Sequence, residues 1–419
     1  MTVDPRPARR LGLGDATVIG LGSMLGAGVF AAFTPAAQAA GSGLLVGLAV
    51  AAIVALGNAT SSAQLAAVYP VSGGAYVYGR ERLGQWWGFI AGWGFIVGKT
   101  ASCAAMAMTF AAYAAPAGWE RPVAILAIVA LAGANLLGIT RTALLTRVIV
   151  TLVLLSLAVV VAAGAVSELP ALSAPFDLVS GGVYGILQSA GLLFFAFAGY
   201  ARIATLGEEV IDPERTIPRA ILIALGVTVV VYGAVAVTLL GMLGPAGVAA
   251  SAAPLGDVVA VAGWSWAEPV VRVGAAAASL GALLALIAGV GRTTLAMARE
   301  SDVPRWLSAV HPRTLVPHRA EIAVALAAIL IVAVADVRGA IGFSSFGVLV
   351  YYSIANAAAL TQPPEHRRFP RILAVIGVIG CVALVATLPW QSVVGGVAMI
   401  AVGLAYRALS RPRSAPNTP

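Results

Sequence analysis

Charge is scarce in this sequence. Asp, Glu, Lys and Arg make up only 10% of its 419 residues, against about 25% in a soluble globular chain. So few charges cannot cover a water-facing surface. Hydrophobic residues at 60% and a mean hydropathy of +0.96 also exceed what one core can absorb. Most side chains must therefore face lipid or other buried helices, which reads as an all-α polytopic membrane protein. Cysteine is limited to Cys103 and Cys381, both in apolar runs, which argues against a disulfide framework or a metal knuckle. The histidines, His311, His318 and His366, lie in Arg- and Pro-rich connections, so histidine-based metal catalysis has almost no ligands to work with. No metal and no cofactor are expected. Arg6, Arg9 and Arg10 precede a long apolar segment without a small-residue cleavage site, so the first span is expected to be retained.

What is present is a succession of apolar runs. A spanning helix needs about 20 mostly apolar residues. Apolar runs between Gly, Pro and charge punctuation predict twelve spans, near 16–40, 44–68, 86–115, 122–138, 144–166, 182–206, 218–243, 269–298, 320–336, 340–361, 371–388 and 391–409. Residues 1–15 form a leading segment, 16–409 the transmembrane domain, and 410–419 a polar tail expected to be disordered. With both termini cytoplasmic, every basic residue falls on the inner side except Arg121, Arg272 and Arg338 outside and Lys99 within a span. Positive charge in short loops marks the cytoplasmic face, so this orientation in the inner (cytoplasmic) membrane is expected. The net charge of +8 is then a matter of loops facing anionic headgroups of the lipid bilayer, and no nucleic acid partner is implied.

The stretch GLGSMLGAGVF, Gly20 to Phe30, places four glycines inside the first span. Three readings compete. A phosphate-binding turn would need a strand before it and a βαβ unit around it, and the surrounding apolar runs offer neither. Gly22 and Gly26 also form a small-xxx-small pattern that lets two membrane helices approach closely. In the third reading the helix breaks near Met24 to Gly28, and the half-helix resuming at Gly28 presents N–H groups and a positive dipole end to a carboxylate. The sixth span is interrupted too, at FFAFAGY, Phe194 to Tyr200, whose carbonyls would suit an ammonium. Interrupted helices in corresponding positions of two halves, 16–166 and 182–361, point to a transporter built from inverted repeats.

The sequence resembles the amino acid–polyamine–organocation (APC) permeases over nearly its whole length. Gly26-Ala27-Gly28-Val29-Phe30 is similar to the family's first-helix motif, and Tyr69 to Tyr76 to the motif between helices two and three. FFAFAGY followed by GEEVIDPERTIPRAI, Gly207 to Ile221, resembles the end of helix six and its connection, and Arg292 to Leu307 the end of helix eight. The resemblance implies a LeuT-like fold: a five-plus-five inverted repeat and two further helices at 371–409. It also implies substrate contacts at Ser23, Met24, Leu25, Gly26, Ala27 and Gly28, and at Phe195, Ala196, Phe197, Ala198 and Gly199, with Phe195 or Phe197 as an aromatic gate. Three departures stand out. Ala27 replaces the Ser or Thr of many relatives, which leaves a backbone-only carboxylate contact. Ser156 stands where proton-coupled relatives carry a helix-five lysine. The third departure is Lys99.

Lys99 is the only lysine in the chain and lies about 13 residues into its span, some 20 Å along the helix at about 1.5 Å per residue. An ionisable group near the bilayer midplane is costly and marks function by default. It is read as a coupling residue that takes over from the missing helix-five lysine, or as a residue holding the site open in an exchanger; a structural lysine bonded to backbone carbonyls is the bland alternative. Glu208 and Glu209 are candidates for a cytoplasmic gate, latching to Arg292 or Arg299, against the alternative of an ordinary solvated loop. Ser279 is a loose candidate for a sodium site. The expected function is secondary active transport of an amino acid by alternating access, with a proton as coupling ion and sodium as the alternative. A neutral or small zwitterionic substrate is favoured because the pocket segments lack an acidic side chain. Polyamine or cationic amino acid transport, and amino acid exchange, stay open. An enzyme would need a polar cluster at depth and a receptor a signalling domain, and the sequence supplies neither.

Overall fold

Helix covers each of the twelve apolar stretches, and one isolated bridge, Leu11 with Val210, is the extent of β-pairing among the described residues. The computed structural model describes residues 11–69, 73–138, 143–167, 177–204, 206 and 209–410. The first stretch divides into α1 (Leu13–Met24), α2 (Gly28–Ala31) and α3 (Phe33–Ala40), followed by α4 (Leu44–Val68) and a short α5 (Ala75–Leu83). Then come α6 (Gln85–Ala114), α7 (Glu120–Leu136), α8 (Ala143–Val166), α9 (Gly182–Phe197) and a single turn, α10 (Ala201–Ala204). The second half continues with α11 (Pro213–Ala250), α12 (Pro254–Val261), α13 (Glu268–Arg299), α14 (His318–Val334) and α15 (Val337–Leu360). Two more, α16 (Arg371–Thr387) and α17 (Trp390–Ser410), complete the chain.

Among the described residues nine helical stretches are long and apolar enough to cross a membrane. The three other runs, α7, α14 and α16, have 17 residues each, the lower end of the range that spans a hydrocarbon core about 30 Å thick. Large apolar side chains point outward along the bundle, among them Leu126, Val230, Leu326, Leu330 and Ile379, each more than half exposed. Such a surface suits lipid and not water. The seventh run starts at Pro213 instead of 218. Asp212 (φ 47°) turns the chain, and Pro213 takes the first helical position, where its missing N–H costs no bond. The same helix breaks at Gly244 (φ 68°) ahead of Pro245, close to the end expected at 243.

At the centre stands α6, packed between α13 and α15. Small residues set that crossing: a Cβ on Gly98 would sit 3.1 Å from the Gly347 Cα of α15. Bare backbones meet there, and Ser102 Oγ lies 2.6 Å from Ser344 Oγ one turn further on. With Gly98 against α15, Lys99 is turned about 100° away round the helix, toward α9 and α13.

Polar contacts gather at the two ends of the bundle. At one, Arg338 of α15 donates to Gln38 of α3 and to Gln188 of α9, both at 3.2 Å. At the other, which is rich in arginine, Asp302 is buried and bonded to Arg407 of α17 (2.8 Å) and to the Tyr76 hydroxyl of α5 (2.9 Å). Burial, together with the adjacent Asp302 carboxylate, pushes the Tyr76 hydroxyl up, so it stays protonated and donates. The Arg407 guanidinium also lies 5.0 Å from the Trp86 ring centroid and 4.7 Å from that of Phe89, which fixes α17 to the start of α6.

Candidate functional site

The first helix breaks where the glycines lie. α1 ends at Met24, Leu25 turns out of the helical region (ψ 34°), and α2 resumes at Gly28. The sixth run is distorted more gently: α9 ends at Phe197, Ala198–Tyr200 form a tighter 3₁₀ turn, and α10 follows. The two irregular segments lie against each other backbone to backbone. A Cβ on Gly28 would fall 2.6 Å from the Ala196 Cα, and one on Gly199 would run into the Ser23 carbonyl and the Met24 amide. Gly26 faces α13 instead, where a Cβ would stand 3.1 Å from the Ala282 Cβ. Close packing and a broken helix are thus both present, and the packing of the glycines holds the two breaks together.

A break inside lipid frees carbonyls that cost several kcal/mol each if left unbonded. Tyrosines cover them. The Tyr232 hydroxyl of α11 lies 2.5 Å from the Met24 carbonyl and 3.1 Å from that of Ala196, so one hydroxyl serves both breaks. Tyr352 of α15 donates to the Ala198 carbonyl at 3.2 Å, and Tyr113 of α6 to the Phe30 carbonyl at 3.1 Å. These tyrosines escaped the sequence reading. Each is a polar residue in an apolar span, which is a signal, but nothing in the chain states which carbonyl it reaches.

Beside the breaks is a cavity of about 160 Å³ lined by α1, α6, α9 and α13. From the expected set it gathers Ser23, Lys99, Phe195, Ala198, Gly199, Glu209 and Arg292. Phe95, Ser102, Met106 and Leu286 complete the walls nearest Lys99. A second cavity of about 170 Å³ shares Ser23, Arg202, Glu209, Ala285, Gly289 and Arg292 with the first and extends to Leu11 and Leu206 at the arginine-rich end. Lys99 is buried, and among the described residues no carboxylate lies within ion-pairing distance and no hydrogen bond is made by its ammonium.

Other expected residues lie outside the lining. Met24, Leu25, Gly26, Ala27 and Gly28 are buried just behind Ser23. Ala196 packs on Gly28, and Phe197 is turned away onto Tyr232, with ring centroids 5.1 Å apart. Of the two aromatic gate candidates, Phe195 is thus the one at the cavity. Glu208 lies outside the described residues, as do Pro70, Val71 and Ser72. Glu209 and Arg292 face the same cavity without forming an ion pair. The backbone of Glu209 is nonetheless fixed: its carbonyl accepts from the Leu11 amide at 3.0 Å, which ties the entry of α1 to the segment after α10. Ser156 is buried against Gly274 of α13, and Ser279 Oγ is buried with no hydrogen-bond partner among the described residues.

Two interrupted helices around a partly polar cavity within an apolar bundle is the arrangement the sequence motifs implied. The amino acid permease family model matches residues 11–410, almost the entire chain. The chain belongs to that family, within the APC superfamily. An "uncharacterized transporter" of Mycobacterium tuberculosis is 59% identical over 415 residues, covering 98% of this chain and 94% of its own length. The branched-chain amino acid permease of Bacillus subtilis is 26% identical, with 98% and 94% covered. A cationic amino acid transporter of Arabidopsis thaliana is 27% identical, with 90% of this chain and 70% of its own covered. Membership of the family makes this permease a multi-pass membrane protein of amino acid transport.

Proposed function

We propose that the permease is a secondary active transporter that moves a neutral or small zwitterionic amino acid by alternating access around the cavity between α1, α6, α9 and α13. The reading rests on one observation above the others: a cavity bounded by both interrupted helices shares part of its wall with a second cavity that extends toward the arginine-rich end, while the opposite end is joined by Arg338, Gln38 and Gln188. That is how a state open to one side is built. With both termini in the cytoplasm, the open side is the inner one. The twelve helical runs then all span the membrane, the first ten as a five-plus-five inverted repeat of the LeuT type and α16 and α17 as additions. No cofactor and no catalytic group enter this reading, and the protein is not an enzyme.

Charge in the cavity supports a neutral substrate over a cationic one. Among the described residues, Lys99, Arg202 and Arg292 line it against the carboxylate of Glu209. A substrate carboxylate is attracted there, whereas a polyamine meets like charges. The helix-one amides at Gly26 to Gly28 stand one layer behind, Ala198 and Gly199 are at the wall, and these segments take the carboxylate and the amine once the breaks shift during closure. Glu209, with Glu208, latches to Arg292 when the inner side closes. Lys99 is the coupling residue: protonated, it attracts the carboxylate, and neutral, it releases it, with the proton as coupling ion.

A thermal-shift screen of amino acids, with and without sodium, followed by uptake of each hit into proteoliposomes, tests the reading. The expected result is stabilisation by neutral amino acids without need of sodium. Replacing Lys99 by Ala should flatten the pH dependence of uptake, and full, unaltered pH-dependent transport by that variant would sink its coupling role.

A further inference from the structure

Glu321 has no part in the mechanism so far. It sits in the first turn of α14, and only 2% of its surface is exposed. Its Oε2 is buried and has no hydrogen-bond partner among the described residues, and no ion pair is made there. A carboxylate kept this dry and unbonded is costly as an anion, and is rare unless it serves a purpose. Three residues earlier on the same helix, His318 has a buried Nδ1 that also has no hydrogen-bond partner among the described residues. Side chains three apart on a helix are neighbours, about 5–6 Å between Cβ atoms. His318 and Glu321 thus lie one helical turn apart on α14, each with a buried side-chain atom that has no hydrogen-bond partner among the described residues.

The position of the pair matters as much as its chemistry. The Glu321 side chain lies against Gly291 of α13, where a Cβ would meet its Cγ at 2.6 Å, and the next residue, Arg292, lines both cavities. Arg292 is the charged group that acts on Glu321 from α13. The other elements packed on α14 contribute little: α6 carries Lys99 as its one charge, α7 has Glu120 and Arg121 at its far end, and the 3₁₀ turn 305–308 carries Arg305. On α14 itself His318 is partly exposed and reaches the ring of His311 (centroids 5.8 Å apart), while Arg319 points outward. His318 is thus the partly exposed residue one helical turn from Glu321, and Arg292 is the cavity-lining charge that acts on Glu321.

We propose that Glu321 takes up and releases the proton that drives transport, with His318 connecting it to the aqueous side and Arg292 relaying its charge to the cavity. One proton adds to the carboxylate to give the neutral acid, and the same proton leaves on the opposite side. The proposal rests on proton-coupled transport, as proposed above, and adds a second titrating group to the Lys99 site.

The test uses purified protein in proteoliposomes and a radiolabelled mixture of neutral L-amino acids. Uptake is measured in two ways: accumulation driven by a pH gradient, and counterflow exchange with no gradient. The Glu321→Gln variant, which mimics the permanently protonated acid, should lose gradient-driven accumulation by at least about tenfold while counterflow stays within about twofold of wild type. Accumulation equal to wild type overturns the proposal, and so does loss of both activities in a folded variant, since that marks a structural role. If the variant does not fold, the wild type answers by carbodiimide labelling, which takes protonated buried carboxyls. Labelling at residue 321 that is stronger at acid than at alkaline pH supports the proposal, and pH-independent or absent labelling overturns it. A wild type that accumulates nothing under the gradient removes proton coupling itself, and this proposal with it.

Discussion

Individual glycines decide whether the two irregular segments can touch. Gly28 and Gly199 each meet backbone closely, which cannot swing aside, whereas at Gly26 the close neighbour is the methyl of Ala282 at 3.1 Å, with backbone no nearer than 3.8 Å. Gly199→Val and Gly28→Val should therefore lower stability by about 1–3 kcal/mol and abolish substrate binding, while Gly26→Ala should be tolerated. Melting temperature in detergent and substrate-induced stabilisation check both halves of the prediction. Equal tolerance at all three positions would mean the breaks are not held by close approach. The hydroxyls that cap the freed carbonyls belong to the same scale. Tyr232 is separated from Met24 by 208 positions and from Ala196 by 36, yet serves both.

At the scale of helices, Arg338 closes one end of the bundle by reaching α3 and α9 together. These helices follow the first break and precede the second, so separating them is what opening this end requires. Arg338→Ala should shift the population toward the state open at that end. A cysteine placed at Gln38 or Gln188 should then react faster with a membrane-impermeant thiol reagent, and an unchanged rate would remove the latch. Much at this scale was legible beforehand. GLGSMLGAGVF marked Met24 to Gly28 as a place for either a close helix crossing or a break, and the helix ends fell within a few residues of their Gly and Pro markers. Less legible were residues whose role depends on a distant partner. Gly26 and Phe197 sit in the right segments, but α13 and Tyr232 decide which way they face. Glu321 read only as the start of an apolar run, because burial of a single carboxylate is set by packing against Gly291 and leaves no local pattern.

Over the whole molecule, the permease combines an apolar exterior, two polar ends and two internal cavities that share part of their walls. Gly98 against Gly347 turns Lys99 inward, the breaks in the first and sixth runs border the same space, and Asp302 with Arg407 fastens the last helix to the arginine-rich end. The central claim is that the amino acid passes through these cavities, and Ala285, which lines both, is the place to obstruct it. The most direct measurement is counterflow uptake of radiolabelled neutral amino acids into proteoliposomes by the wild type and by Ala285→Trp, with melting temperature as the control for folding. The account predicts robust exchange by the wild type and a loss of at least about tenfold in a variant that melts normally; undiminished exchange through the filled cavity would contradict it.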